Sequence, residues 1–172
     1  MAVTGLKQTS SLIAIGFEAI EGGANTFAEA QIDLNLSPLD REVFVALAIN
    51  LDPFTPDCVA GVDTRVASSL TSTSQTDVAN LSNSNCLAAA GNLIKQDPGS
   101  IAGVPFSTGF FETPSGVGLD YIGIIATNDF FVQVKGTGNL AAKRLQGKLY
   151  GYRARASADI YAALVQSEVL SA

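Results

Sequence analysis

Residues 27–36 read Phe27-Ala-Glu-Ala-Gln-Ile-Asp-Leu-Asn-Leu36, an alternation of apolar and polar side chains without a break. The even-numbered positions are all alanine, isoleucine or leucine, and the odd-numbered positions after the phenylalanine are all acids or amides. Successive side chains of a strand point to opposite faces of a sheet, so this pattern predicts a strand with one buried face. The chain is therefore expected to contain a sheet that packs on one side against a core.

The segment before this strand, residues 11–21, also has an apolar face. Its members are Ile13, Ile15, Phe17 and Ala19. Residues 22–25, Gly-Gly-Ala-Asn, are of types that favour a turn and lie between the two segments. The two strands are therefore predicted to form a β-hairpin. Because Ile13, Phe17 and Ile20 also stand at helical spacing, a helix over this segment remains the alternative.

Further strand patterns follow along the chain, with Pro, Gly, Asn or Asp between them. They cover residues 42–51, 62–75, 102–112, 117–126, 130–135 and 142–155. Residues 42–51 are apolar on both sides, so both faces are expected to be covered, whereas the Ser and Thr of 62–75 predict one face in water. The loop 136–139 is predicted to close a tight hairpin.

Two segments are predicted to be helical. Residues 77–96, rich in Asn and Ala, predict a short helical turn capped by Ser84 or Asn85. Residues 159–170 predict the one full helix, with Ser157 or Asp159 as its cap. Its apolar stripe consists of Ile160, Tyr161, Leu164, Val165 and Val169.

These elements together predict the fold class and the domain organisation. About eight strands and a terminal helix are typical of an all-β, antiparallel β-sandwich or jelly roll with a short C-terminal helix. A length of 172 residues fits a single domain spanning 1–172.

Composition limits the partners that the chain is expected to have. The net charge is −6, and the ten Lys and Arg residues form neither a stripe nor an arm, so no sequence-specific nucleic-acid binding is expected. Charged residues make up 15% of the chain, which is low for a lone monomer and predicts a surface covered by partners. No apolar run approaches the roughly 18 residues of a membrane span.

The sequence predicts no catalysis, no metal site and no cofactor. There is no His, so Ser/His and Cys/His pairs are excluded. The acidic residues are interpreted as separate loop carboxylates, not as hydrolase pairs or a calcium site. The acids considered are Asp40, Glu42, Asp52, Asp57, Asp63, Glu112 and Asp120.

Two further motifs are interpreted as structural. The glycine loop Gly136-Thr-Gly138 falls between two strand patterns, whereas a phosphate-binding loop would open a helix in a βαβ unit. Cys58 and Cys86 lack a CxxC or Cys/His context. Two buried free thiols are the favoured interpretation, and a disulfide between them remains open.

Several residues are candidates for contacts between subunits. The apolar stripe of the terminal helix has no evident docking place within a sandwich, so its five residues are predicted to mediate self-association. Basic residues concentrate near the end of the chain, at Arg144, Lys148, Arg153 and Arg155. They predict either an electrostatic contact with acidic neighbours or nucleic acid, or an edge strand protected by charge. The pairs Phe110-Phe111 and Phe130-Phe131 place a ring on each face of their strands, so both faces are expected to be covered.

As a whole the chain resembles single jelly-roll viral capsid proteins. Three stretches carry the resemblance: Leu39-Asp-Arg-Glu-Val-Phe-Val45, Tyr121-Ile-Gly-Ile-Ile-Ala-Thr-Asn-Asp-Phe-Phe-Val-Gln-Val-Lys135 and Ala142-Lys-Arg-Leu-Gln-Gly-Lys-Leu-Tyr-Gly-Tyr-Arg153. The resemblance implies a virion structural protein that assembles with copies of itself, and with other virion proteins, into an icosahedral shell. It implies no enzymatic activity, and a location in the virion after assembly in the host cytoplasm.

The chain departs from the family in one respect, and two other functions remain open. The first forty residues contain one basic side chain, Lys7, so the basic arm with which many coat proteins bind a genome is absent. One alternative is a carbohydrate-binding β-sandwich that uses tyrosines as a platform, although the chain has no Trp. Its four tyrosines are Tyr121, Tyr150, Tyr152 and Tyr161. The other alternative is a cellular filament or surface-layer subunit.

Overall fold

A computed structural model describes residues 5–96, 106–110 and 119–172. Within these residues the chain forms ten β-strands and one α-helix. The strands are β1 (Leu6–Gln8), β2 (Ile13–Ile20), β3 (Ala28–Asp33), β4 (Glu42–Pro53), β5 (Thr64–Thr71), β6 (Cys86–Lys95), β7 (Phe106–Phe110), β8 (Gly123–Ile125), β9 (Asp129–Thr137) and β10 (Arg144–Ala156), and the helix is α1 (Ala158–Leu170).

The strands form two five-stranded sheets, and every pairing within them is antiparallel. In the first sheet β4 pairs with one edge of β10 over almost its whole length, and β8 pairs with β4. Strands β2 and β1 pair in turn with the other edge of β10. The second sheet has the order β3-β9-β5-β6-β7. The predicted antiparallel sandwich with a C-terminal helix is therefore confirmed.

The order of pairing is that of a jelly roll. Four pairs are nested along the chain, β2 with β10, β3 with β9, β4 with β8, and β5 with β6. Together the four pairs form one long antiparallel ribbon of two chain segments. The ribbon is rolled up, since β10 also pairs with β4 and β9 also pairs with β5. Rolling the ribbon places alternate pairs in opposite sheets, and apolar faces of the two sheets meet inside.

The predicted hairpins are wrong. Strands β2 and β3 have the expected apolar faces, yet they lie in different sheets, and residues 21–27 cross between them. Strands β9 and β10 are likewise in different sheets, so residues 138–143 also cross between the sheets. Gly and Asn residues in a loop determine where the chain changes direction. They do not determine whether the strands before and after the loop pair with each other. The helix considered for residues 11–21 is also wrong, because Ile13–Ile20 form β2, which pairs with β10 over eight residues.

Two other predictions need correction. Residues 77–96 contain no helix; β6 occupies 86–95 and pairs with β5 and β7, so tertiary pairing overrides the helix propensity of its alanines. The outer face of β5 is not open to water along its full length, since residues 72–85 fold over it. Gln133 and Ser69 are fully buried there and hydrogen-bond to each other at 2.6 Å. Glu29 accepts bonds from Gln133 at 2.9 Å and from Ser74 at 2.6 Å.

The main core lies between the sheets. The rings of Phe17 and Phe130, one from each sheet, meet edge to face with centroids 5.7 Å apart. The even-numbered apolar residues of the stretch 27–36 all contact this core, as predicted. They are Ala28, Ala30, Ile32, Leu34 and Leu36. Phe130 is buried in the core, and Phe131 lies on the other face of the same strand, half-buried. Phe111 lies outside the described residues.

A second, smaller core lies on the outer face of the first sheet. Val43 and Val45 of β4 and Ala154 and Ala156 of β10 form its floor. Helix α1 covers that floor with Ile160, Tyr161, Leu164 and Val165. The expectation that the helix has no docking place within its own chain is therefore wrong. The same packing covers both faces of β4 over residues 42–46, whereas Asn50 is exposed, so the prediction that both faces of 42–51 are covered is confirmed only for the first part of the strand.

Replacing Gly147 by alanine is expected to lower the free energy of unfolding by about 1–3 kcal/mol, because overfilling a packed core strains it. The added methyl group would meet the carbonyl oxygen of Asn50 and the ring of Phe17. Gly16→Ala is the matched control, since nothing lies within 4 Å of its added carbon, and it should be neutral or stabilising. Urea unfolding measures both variants, and equal stabilities would contradict this packing.

Candidate functional site

Two of the acidic residues considered from the sequence, Asp40 and Glu42, hydrogen-bond to Ser37. Asp40 is exposed; it accepts a bond from Ser37 at 2.9 Å and pairs with Arg155 at 3.2 Å. Glu42 accepts the Ser37 backbone N–H at 3.1 Å, so both acids support the turn that precedes β4. Within 5–96, 106–110 and 119–172, no three Cys, Asp or Glu side chains stand close enough to share a metal ion. Glu112 lies outside the described residues.

Both cysteines are free. Cys58 is exposed, so the interpretation of two buried thiols is wrong for this residue. Cys86 is half-buried, and burial raises the pKa of its thiol. A raised pKa keeps the thiol protonated and weakens it as a nucleophile.

Three loops that cross between the sheets are joined at one end of the sandwich, here called the loop end: residues 21–27, 54–63 and 138–143. Asn139, almost fully buried, is at their centre. Its side chain accepts the backbone N–H of Asp57 at 2.9 Å, and its backbone N–H donates to the Asn25 side chain at 2.8 Å. Asn25 returns a bond to the Asn139 carbonyl at 2.8 Å. One buried amide therefore joins all three loops.

Charged groups reinforce the same junction. Glu21 is buried and accepts the backbone N–H of Gly136 at 2.5 Å and of Lys143 at 2.7 Å. The Lys143 ammonium lies 2.6 Å from Asp57 and holds the pKa of that carboxyl below its usual 3.8. Asp57 also accepts the N–H groups of Leu140 and Ala141. The loop end is therefore held in one conformation by internal bonds.

Large apolar side chains project from this rigid junction into solvent. Leu140 is 77% exposed and Ile20, beside Glu21, is 57% exposed. Phe54 and Val62 are also exposed, and the Arg144 guanidinium lies over the Phe54 ring at 4.5 Å. The loop end thus combines a fixed polar interior with an apolar surface, which the sequence pattern did not indicate because the contributing residues are far apart in the chain.

The basic residues of β10 do not form a cluster. Arg144 pairs with Glu18 at 3.4 Å, Arg155 pairs with Asp40, and Arg153 donates to the Leu34 carbonyl at 3.0 Å. Lys148 has no hydrogen-bond or ion-pair partner in the described part of the chain. The edge-strand interpretation is wrong, because β10 is paired along both edges.

The helix residues predicted to mediate self-association divide into two groups. Ile160, Tyr161, Leu164 and Val165 pack on the sheet of their own chain. Val169 points away from it, 61% exposed, next to Leu170 at 75%. The solvent side of the helix carries two further apolar residues, Ala162 and Ala163. Of the five predicted residues, Val169 is the one available to another molecule.

Glu168 fastens the last turn of the helix to the sheet. The residue is 7% exposed, and its two carboxyl oxygens accept the backbone N–H groups of Ala126 at 2.9 Å and Thr127 at 3.0 Å. Burial raises the pKa of the Glu168 carboxyl above its usual 4.5, and the hydrogen bonds from residues 126 and 127 oppose that rise only in part.

Comparisons with known proteins leave the family open. No family model matches the chain, and no curated protein matches it. Among solved structures, a chain from Desmodium yellow mottle tymovirus is similar over 86% of this chain and 90% of that one, with 14% identity and a TM-score of 0.28. A TM-score this low supports no conclusion about function. In the described part of the chain no helix has the length and apolar character needed to cross a membrane.

Lowering the pH from about 7 to about 4.5 should stabilise the protein relative to a Glu168→Gln variant. The folded-state pKa is raised, so the folded protein binds this proton more tightly than the unfolded chain does. The contribution is fully present below the unfolded pKa and is lost as the pH rises through the folded pKa. Urea unfolding of both proteins across this range measures the difference, and a difference independent of pH would contradict the burial of Glu168.

Proposed function

We propose that this chain is a virion structural protein, most simply a capsid subunit that assembles with copies of itself into a closed shell. One observation carries the proposal: the molecule presents large apolar side chains on two separate surfaces, the loop end and the solvent side of α1. Jelly rolls serve as capsid subunits, lectins and cupins, so the fold alone does not select among them. The choice depends on these surfaces.

The loop end is suited to contact another protein. Its apolar residues include Leu140, on a loop fixed by Asn139 and Asp57, and Ile20, at the end of β2 next to the buried Glu21. Binding through a preformed surface costs less conformational entropy than binding through loose loops. Exposed apolar groups on such a surface are characteristic of interaction sites.

The solvent side of α1 supplies the second surface. A helix that packs on its own protein usually turns a polar face to water. Of the eight exposed positions of α1, five are apolar and three are polar, and the exposed charge is Asp159 alone; the apolar ones are Ala158, Ala162, Ala163, Val169 and Leu170. Such a helix gains stability when another molecule covers its outer side.

Two different apolar surfaces on one subunit allow growth beyond a dimer. A contact between unlike surfaces continues from copy to copy and closes into rings or shells when the rotation permits. Other virion proteins are further partners under this proposal, the location is the virion after assembly in the host cytoplasm, and residues 1–172 form one jelly-roll domain. Arg144, Arg153 and Arg155 are engaged within the subunit, which supports a shell that packages its genome without a basic binding surface.

Chemistry at a metal or catalytic centre has less support. Cupin-type function needs a group of metal ligands, and the described residues hold no cluster of three. A filament subunit would use the same kinds of contact with a different symmetry, so the shape of the assembly distinguishes it.

Electron microscopy and light scattering of the purified chain test the proposal. The wild type is expected to form particles of uniform size. Leu140→Glu and Val169→Glu should each raise the concentration needed for assembly by about tenfold or more, because each contact would then bury an unpaired charge. Thr76→Glu, which adds the same charge at an exposed position away from both surfaces, is the control and should assemble normally.

Circular dichroism and urea unfolding show whether each variant keeps the wild-type fold. A wild type that stays monomeric at every concentration and salt tried would refute the proposal. Particles that form equally well from both glutamate variants would show that neither surface takes part. Filaments in place of shells would favour the filament subunit.

A further inference from the structure

The outer face of the first sheet has a part that α1 does not cover. There β10 lies between β2 and β4, and the register sets outward side chains in rows across the three strands. Tyr150 stands between Ala14 and Ala48, and the next row has Lys148 between Gly16 and Asn50. A third row has Gln146 between Glu18 and Asp52.

Small residues in these rows make a hollow. Gly16 has no side chain, and a carbon added there would meet nothing within 4 Å. The hollow has a volume of ≈ 500 Å³ and is lined by Glu18, Asn50, Asp52, Gln146, Lys148 and Tyr150. That volume lies in the range of small-ligand sites, and the hollow is shallow and open to solvent.

Part of the lining is already paired and part of it is not. Glu18 accepts bonds from Arg144 at 3.4 Å and from Gln146 at 3.1 Å, which fixes one wall. Asn50, Asp52, Lys148 and the Tyr150 hydroxyl have no hydrogen-bond partner among the residues that the structure describes. The hollow therefore offers both donors and acceptors to a ligand.

The charges indicate what kind of ligand fits. Asp52 and Lys148 contribute one unpaired charge of each sign, which suits a neutral molecule with several hydroxyl groups. A phosphate-rich ligand would need several cations, and a lipid chain would need an apolar lining. Tyr150 adds a half-buried ring, which stands between the small residues Ala14 and Ala48.

We propose that this hollow binds a neutral saccharide, whose ring lies against Tyr150 and whose hydroxyl groups bond to Asn50, Asp52 and Lys148. Aromatic rings pack against the C–H face of a sugar, while carboxylates, amides and ammonium groups exchange hydrogen bonds with its hydroxyls. The site lies on a sheet face and borders the loop end, because its wall residue Glu18 pairs with Arg144, which lies over the Phe54 ring.

An array of neutral and sialylated oligosaccharides, followed by NMR titration with the methyl glycosides of the neutral hits, tests the site. We expect neutral glycans to bind and the amide signals of Gly16, Gln146 and Lys148 to shift. Tyr150→Ala should weaken binding about tenfold, as expected for the loss of one ring contact. Tyr150→Phe should bind nearly as well as the wild type, because it keeps the ring.

Tyr121→Ala is the matched control, since Tyr121 is an exposed tyrosine outside the hollow, and it should leave binding unchanged. The absence of any glycan hit would overturn the proposal, as would binding confined to sialylated glycans. A loss of binding in Tyr121→Ala equal to that in Tyr150→Ala would do the same. Amide shifts in the hollow that follow protein concentration without added sugar would show that a second copy covers this face.

Discussion

The pairing of β10 along both of its edges is the constraint on which the rest of the molecule depends. Its one edge holds β4, and its other edge holds β2 and then β1. Toward the interior, Gly147 leaves room for the Phe17 ring, which crosses to Phe130 of the other sheet. Toward the exterior, Ala154 and Ala156 form the floor under α1, and Lys148 and Tyr150 line the open hollow. One strand therefore positions both cores and the uncovered face.

The fold class was predictable from the sequence because strand alternation is local. The even positions of 27–36 and the odd positions of 145–151 point into the core as their pattern indicates. Strand partners were not predictable, since Gly22 to Asn25 ends one strand without specifying whether the next strand joins the same sheet. In β6 the pairing with β5 overrides the helix propensity of Ala88, Ala89 and Ala90, which is a tertiary effect.

Of the candidate contact residues, the sequence identified the apolar stripe of α1 but not its orientation. Four of the five residues pack against the sheet of their own chain. The fifth, Val169, is exposed, whereas the neighbouring Glu168 is buried. The spacing of apolar residues along the helix cannot show that Glu168 accepts hydrogen bonds from the backbone N–H groups of Ala126 and Thr127. The loop end was missed for the same reason: Asn25, Asp57 and Asn139 are distant in the chain and meet only in the fold.

The nested pairing has a consequence for how the protein acquires its structure. Glu18 of β2 accepts a hydrogen bond from Gln146 of β10, which follows it in the chain by 128 positions. Contacts between such distant parts of a chain slow folding. The entropy cost of closing a large loop comes before the strand pairing that offsets it. Until β10 and then α1 leave the ribosome, Val43 and Val45 of β4 have no cover. A nascent chain therefore exposes the apolar residues of this sheet face for most of its synthesis, a period in which chaperones would be needed.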